Sequence, residues 1–172
     1  MSDETPVEER IGTALSATDQ TLATAESCTG GLIGSLLTDV PGSSDYFDRA
    51  YVTYSYDAKL DLGVARETLD EYGAVSEPVA AAMARGSRDR AGTTWGVATT
   101  GVAGPTGGTD EKPVGTVYVG IAYAGPWGTG NSYTTVERRE FAGTRTEIKT
   151  KIARWALELL EREIDPSSVS TR

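Results

Sequence analysis

The chain has 172 residues, 38% hydrophobic and 24% charged, which is the size and composition of one domain with a buried core. It contains no His and one Cys, which excludes His-dependent catalysis, His-ligated metals, internal disulfides and multi-Cys metal sites. A net charge of −9 and the absence of a long apolar run argue against nucleic acid and membrane as partners.

Helices and strands alternate in the first half of the chain. Val7, Ile11 and Leu15 are spaced four residues apart, which predicts one buried helix face. This helix is predicted over residues 5–17. The next predicted elements are a strand over 21–25, a helix to about residue 38, a loop over 41–44, a strand over 50–54, a short helix capped by Ser55 and another over about 65–71.

The second half adds a strand pair between two longer helices. Its predicted elements are a helix from a Ser76 cap to about Arg90, strands over 95–100, 114–124 and 132–142 (the last exposed or at an edge), and a helix opened by a capping box at Thr144–Glu147. A polar tail begins at about residue 165. This order favours a three-layer α/β/α sandwich with a mixed, mostly parallel sheet.

Three polar loops are expected at the carboxyl ends of the strands, where ligands bind in such sheets: 26–31, 41–44 with 54–59, and 100–109. The first loop contains Glu26, Ser27, Cys28, Thr29, Gly30 and Gly31. Glycines before a helix start are typical of anion binding, or of a tight turn capped by a hydroxyl. Glu26 fits a substrate contact or a buried acid bonded to backbone N–H groups.

The second loop places Ser44 near Tyr54 and Lys59 in the sequence. Without His, a serine nucleophile needs another base, and a lysine whose pKa is lowered by burial can serve, with a tyrosine hydroxyl relaying the proton. The alternative is a helix cap, a surface lysine and a strand-end tyrosine. Cys28 is either a reactive thiolate, grouped with Glu26 and Lys59, or a small buried residue.

The third loop runs from Thr100 through Gly101 and Gly104 to Thr109. Its glycines allow backbone N–H groups to hold an oxyanion, or simply make a flexible connection. Arg145, at a predicted helix start, is either a clamp for phosphate or carboxylate or a surface charge.

Several segments together resemble a known family. They are TAESCTGG (24–31), TDVPGSS (38–44), VTYSYDAK (52–59), LGVARETL (62–69), YGAVSEPV (72–79), TGVAGPTGGT (100–109) and EKPVGTVY (111–118). In this order they resemble the C-terminal domain of the competence/damage-inducible protein CinA, which also occurs alone as nicotinamide mononucleotide deamidase. The family usually has Asn where this chain has Tyr56.

The resemblance implies a single domain over 1–172 with a core over about 7–162. It also implies hydrolysis of nicotinamide mononucleotide to nicotinate mononucleotide and ammonia, without a cofactor or metal. Ser44 is then the nucleophile, Lys59 its base and Tyr54 the relay. The substrate contacts expected from the loops and the resemblance are Glu26, Ser27, Thr29, Gly30, Gly31, Thr100, Gly101, Gly104 and Arg145.

A non-catalytic nucleotide-binding or partner-docking domain is the alternative function, because fold does not fix function. The expected partner is a small nucleotide, a homo-oligomer is left open, and the acidic, polar start of the chain leads us to expect a cytoplasmic protein.

The acid excess also predicts a response to salt. Only four of the 16 bases are Lys, and an acidic, Lys-poor surface is typical of proteins in concentrated salt. The melting temperature should rise between about 0.1 M and molar KCl, because the Debye length falls from about 10 Å to about 3 Å and screens the repulsion. Calorimetry over this range, with sucrose as an uncharged control, tests the idea; a flat or falling melting temperature refutes it.

Overall fold

A five-stranded sheet lies at the centre of the computed structural model, which describes residues 4–167. Its strands are β1 (Leu22–Glu26), β2 (Phe47–Val52), β3 (Trp95–Gly101), β4 (Thr116–Tyr123) and β5 (Tyr133–Glu140), in the spatial order β2-β1-β3-β4-β5. Strand β1 is parallel to both β2 and β3, whereas the β3–β4 and β4–β5 pairs are antiparallel. The sheet is therefore mixed, with β4 alone reversed.

Helices cover both faces of the sheet. They are α1 (Val7–Thr18), α2 (Leu32–Thr38), α3 (Tyr56–Leu62), α4 (Arg66–Tyr72), α5 (Glu77–Ala91) and α6 (Arg145–Ile164). Apolar residues of α1, α2 and α6 form one core cluster against the sheet, and those of α3, α4 and α5 form the other. This confirms the predicted three-layer α/β/α architecture.

Close packing of α5 on the sheet depends on glycine. A Cβ atom at Gly96 would lie 2.2 Å from the carbonyl oxygen of Ala84, and one at Gly120 would lie 2.6 Å from that of Ala80. The side chains that meet α5 from β1, β3 and β4 are small as well, namely Ala25, Ala98 and Ala122. Any larger side chain would push α5 off the sheet.

Two local predictions differ from the structure. Strand β2 begins at Phe47 rather than at residue 50, because an edge strand can turn Asp48 and Arg49 into solvent. Ser76 does not cap α5 with its side chain; its Oγ donates to the carbonyl of Gly73 at 2.8 Å. The capping box of Thr144 and Glu147 is confirmed in both of its hydrogen bonds.

The sheet topology does not bring all three predicted loops to one edge of the sheet. Residues 41–44 precede β2, and the carbonyl of Tyr46 accepts from the N–H of Leu22, the first residue of β1. The loop is therefore at the amino ends of the strands, so its predicted placement at the carboxyl ends is wrong. Residues 26–31 and 100–109, and the segment after β2, do share the carboxyl edge.

Within residues 4–167, no helix has the length and apolar character needed to cross a membrane. The last residues of the predicted polar tail, 168–172, lie outside the described part of the chain.

Candidate active site

A cavity of about 290 Å³ opens at the carboxyl ends of β1, β2 and β3. The predicted site residues that line it are Ser27, Tyr54, Lys59, Thr100, Gly101, Gly104 and Arg145, together with Cys28. A larger depression of about 800 Å³ runs beside β2 and contains Asp61 and Arg90, but none of the predicted site residues. The smaller cavity is therefore the candidate site.

Lys59 is the most unusual residue of this cavity. Its side chain is only 1% exposed, although lysine is almost never fully buried without a partner. Its Nζ donates to Oγ of Ser27 at 2.9 Å and to the carbonyl oxygen of Thr53 at 2.7 Å. Among the described residues no carboxylate forms an ion pair with it. Burial lowers the pKa of Lys59, an effect that nearby Cys28 only partly opposes.

Local structure fixes the direction of Lys59. Ser55 caps α3, since its Oγ accepts from the backbone N–H of Ala58 at 3.0 Å. This cap starts the helix immediately after β2, so Lys59 falls one turn inside it, beside the end of β1.

Ser27 follows β1 directly and is 9% exposed. Its backbone N–H donates to the carbonyl of Thr99 on β3, and its own carbonyl accepts from Gly30, both at 3.1 Å. The main chain on both sides is therefore fixed, and Oγ faces Lys59.

The structure does not bring Ser44 to this cavity. Ser44 is exposed in a short 3₁₀ turn, Ser43–Asp45, at the amino end of β2. The length of β2, at about 3.3 Å per residue, puts it roughly 20 Å from Lys59. The predicted contact between Ser44 and Lys59 is therefore wrong, and Ser27 occupies the position expected of Ser44.

Glu26, predicted as a substrate contact, is completely buried and does not line the cavity. Oε1 accepts from Oγ1 of Thr29 at 2.7 Å and from the N–H of Ile33 at 2.8 Å, and Oε2 accepts from the N–H of Gly34 at 3.0 Å. The carboxylate thus caps the amino end of α2 from the neighbouring strand.

Thr29, Gly30 and Gly31 are also outside the cavity. Thr29 is buried and bonded to Glu26 and to Thr99. The three residues border a separate depression near Lys149 on α6. The prediction that they contact the substrate of the Lys59 cavity is not supported, because the turn carries them to the opposite side of Ser27.

Arg145 connects two walls of the cavity. Its Nη1 donates to the carbonyl of Gly104 at 2.6 Å, and its Nη2 donates to the hydroxyl of Tyr54 at 2.9 Å. No hydrogen bond joins Tyr54 to Lys59 or Ser27 within residues 4–167, so a relay role for Tyr54 stays a prediction. Thr100 donates to the carbonyl of Ala74 at 2.7 Å, which fixes a third wall.

Cys28 lies in the cavity wall but is 5% exposed. Burial raises the pKa of its thiol to about 12, so the thiol stays protonated near neutral pH. This favours the small buried residue over the reactive thiolate. Among residues 4–167, no group of three or more Cys, Asp or Glu side chains could hold a metal ion.

Among the lining residues that sequence reasoning did not assign to the site, Tyr56 has the largest side chain. Tyr56 is 53% exposed, and its hydroxyl accepts from the N–H of Ala74 at 3.3 Å. The signal available was a second aromatic residue two positions after Tyr54, just beyond a predicted strand end.

Comparison with known proteins agrees with this architecture. The model of the CinA C-terminal domain matches residues 4–164. CinA-like proteins of Chlorobium limicola and Salinibacter ruber are 49% and 51% identical over 155 residues, which are 90% of this chain and 36% of each relative. The chain thus spans little more than a third of these relatives.

Solved structures match over nearly their whole length. The crystal structure of the competence/damage inducible protein CihA from Agrobacterium tumefaciens has a TM-score of 0.84 and 42% identity, covering 93% of this chain and 97% of that one. A competence-damaged protein (CinA) superfamily structure from Enterobacter cloacae has a TM-score of 0.86 and 31% identity, covering 96% of each chain.

The bonding of Glu26 predicts its contribution to stability. Glu26→Gln should lower the free energy of unfolding by about 2–3 kcal/mol, because an amide NH₂ would face a backbone N–H in a buried site. Urea denaturation measures the change. The matched control, Glu71→Gln at an exposed position of α4, should change it by less than about 0.5 kcal/mol. Equal effects of the two substitutions would contradict this role.

Proposed function

We propose, because the chain belongs to the CinA C-terminal domain family, that the Lys59 cavity hydrolyses the carboxamide of nicotinamide mononucleotide. The observation that carries the proposal is the 2.9 Å contact between Nζ of Lys59 and Oγ of Ser27, made by a lysine that is 1% exposed. Ser27 is the nucleophile, in the place that the resemblance implied for Ser44, and Lys59 is its base.

The burial of Lys59 supports an enzyme over a non-catalytic binding domain. Removing an amine from water without a carboxylate partner destabilises the fold, unless the amine loses its proton. A neutral amine beside a serine hydroxyl is what a serine nucleophile needs in a chain without His. A docking domain gains nothing from this arrangement.

The reaction begins when Lys59 takes the Ser27 proton as Oγ attacks the carboxamide carbon. Backbone N–H groups of the 101–108 loop are the candidates for holding the oxyanion that forms. The Lys59 ammonium then returns the proton to the leaving nitrogen, the C–N bond breaks, and ammonia departs. Water attacks the Ser27 ester with Lys59 again as base, which releases nicotinate mononucleotide and restores the serine.

The charge of the cavity supports a substrate that carries phosphate. Its described lining has the guanidinium of Arg145 and the amine of Lys59 but no carboxylate, although the whole chain has a net charge of −9. Arg145 is also the first residue of α6, where the helix dipole disfavours a cation. An anionic group bound beside Arg145 would offset that cost.

Substitution of the two central residues tests the mechanism. Ser27→Ala and Lys59→Met should each reduce ammonia release by about 10³-fold or more. The double variant should be little worse than either, because residues acting in one proton transfer are strongly non-additive. The measurement is ammonia released from nicotinamide mononucleotide by purified, folded protein.

Ser44→Ala is the matched control, since it removes an exposed serine from the other end of β2. Its turnover should stay within about twofold of the wild type. A large loss in Ser44→Ala with little loss in Ser27→Ala would contradict the assignment. No ammonia release by the wild-type protein would favour the binding domain.

The lowered pKa of Lys59 predicts the pH dependence of kcat/KM. The base acts in its neutral form, so activity should rise with pH along one limb and level off above the Lys59 pKa. The midpoint should lie below the ordinary lysine pKa of about 10.4. Initial rates at constant ionic strength measure it. A midpoint at the ordinary value, or a rate that falls with pH, would contradict a neutral Lys59.

A further inference from the structure

Two tyrosine side chains, Tyr54 and Tyr56, line the cavity and are 62% and 53% exposed. Each is held at its hydroxyl end. Tyr54 accepts from Arg145 at 2.9 Å, and Tyr56 accepts from the N–H of Ala74 at 3.3 Å. The rings are therefore positioned, yet much of their surface is open.

No charged side chain of the described lining would attract a positively charged ring. The lining has the guanidinium of Arg145 and the amine of Lys59 but no carboxylate. The carbonyls of Gly104 and Ala74 already accept hydrogen bonds from Arg145 and Thr100. The π faces of the two tyrosines carry negative potential and are largely exposed at the cavity.

Of the two rings, Tyr56 is free of protein cations. The hydroxyl of Tyr54 is bonded to the Arg145 guanidinium, which places a positive charge at that side chain. The cation–π contacts formed among residues 4–167 involve Tyr118, Phe141 and Trp155, and none involves Tyr56. Its ring surface is available to a cationic ligand.

We propose that Tyr56 determines specificity by favouring a substrate whose planar ring carries a positive charge, through a cation–π interaction. This inference rests on the proposed function, in which the carboxamide is attached to a pyridinium ring. It identifies the substrate class more narrowly: a cationic aromatic amide is preferred to an uncharged ring of the same shape that bears the same phosphate.

The test compares two ligands that differ mainly in ring charge. Nicotinamide mononucleotide has a cationic ring, whereas its reduced dihydropyridine form is uncharged and keeps the phosphate and the carboxamide. Calorimetry in a Ser27→Ala background measures both dissociation constants without turnover. The added substitutions are Tyr56→Phe, which keeps the ring, Tyr56→Leu, which removes it, and Tyr72→Leu, which removes a 46% exposed tyrosine outside the cavity.

The parent and Tyr56→Phe should bind the cationic form more tightly than the reduced form. Tyr56→Leu should weaken binding of the cationic form by about three- to fivefold, the size of one partly exposed cation–π contact, and leave the reduced form within about twofold. Tyr72→Leu should change neither constant.

Equal weakening of both ligands in Tyr56→Leu, the same effect in Tyr72→Leu, or no binding of either ligand to the parent would overturn the inference. The proposed function is judged separately by ammonia release. Turnover by the wild type without any preference for the cationic ring would refute the role of Tyr56 alone. A preference that depends on Tyr56, without turnover, would uphold that role and refute deamidation.

Discussion

A lysine amine buried without a negative partner is the feature on which the site depends. Lys59 is 1% exposed and has only a hydroxyl and a main-chain carbonyl within hydrogen-bonding distance among the described polar groups. Burial penalises the charged form of this amine and so lowers its pKa. The cap at Ser55, the end of β2 at Val52 and the end of β1 at Glu26 together determine where this amine lies.

A buried carboxyl group, that of Glu26, makes that geometry rigid. Glu26 and Ser27 are adjacent in the chain but face opposite sides of the β1–α2 turn. The Glu26 carboxylate accepts hydrogen bonds from Thr29 and from two N–H groups of α2, so the turn is held from within the core. Ser27 is then left free to face Lys59. The acid thus fixes the backbone, while in the proposed mechanism the amine changes the reactivity of the hydroxyl.

The sequence predicted the fold well because apolar spacing is local information. The helix stripe at Val7, Ile11 and Leu15 and the capping box at Thr144 both appear in the structure. Burial of Lys59 could not be read from sequence, since it results from the packing of α3 against the ends of β1 and β2. The sequence pattern did not indicate that β2 starts before residue 50, because Asp48 and Arg49 are charged and an edge strand does not need apolar side chains there.

The choice between Ser44 and Ser27 shows where motif reasoning failed. Both serines lie in polar, Gly-containing loops, so composition does not distinguish them. Topology does, because a loop that precedes a strand lies at the amino end of that strand. Ser44 precedes β2 and Ser27 follows β1, which places only Ser27 at the edge where Lys59 arrives.

The protonation state of Lys59 is the most direct measure of this account. The chain has four lysines, Lys59, Lys112, Lys149 and Lys151, so ¹³Cε-labelled lysine gives few NMR signals, and Lys59→Met identifies one of them. We expect that signal to titrate below the ordinary lysine pKa of about 10.4, because burial lowers the pKa of Lys59. Titration of that signal at or above the ordinary value would show that Lys59 is charged at working pH and would contradict its proposed role as the base for Ser27.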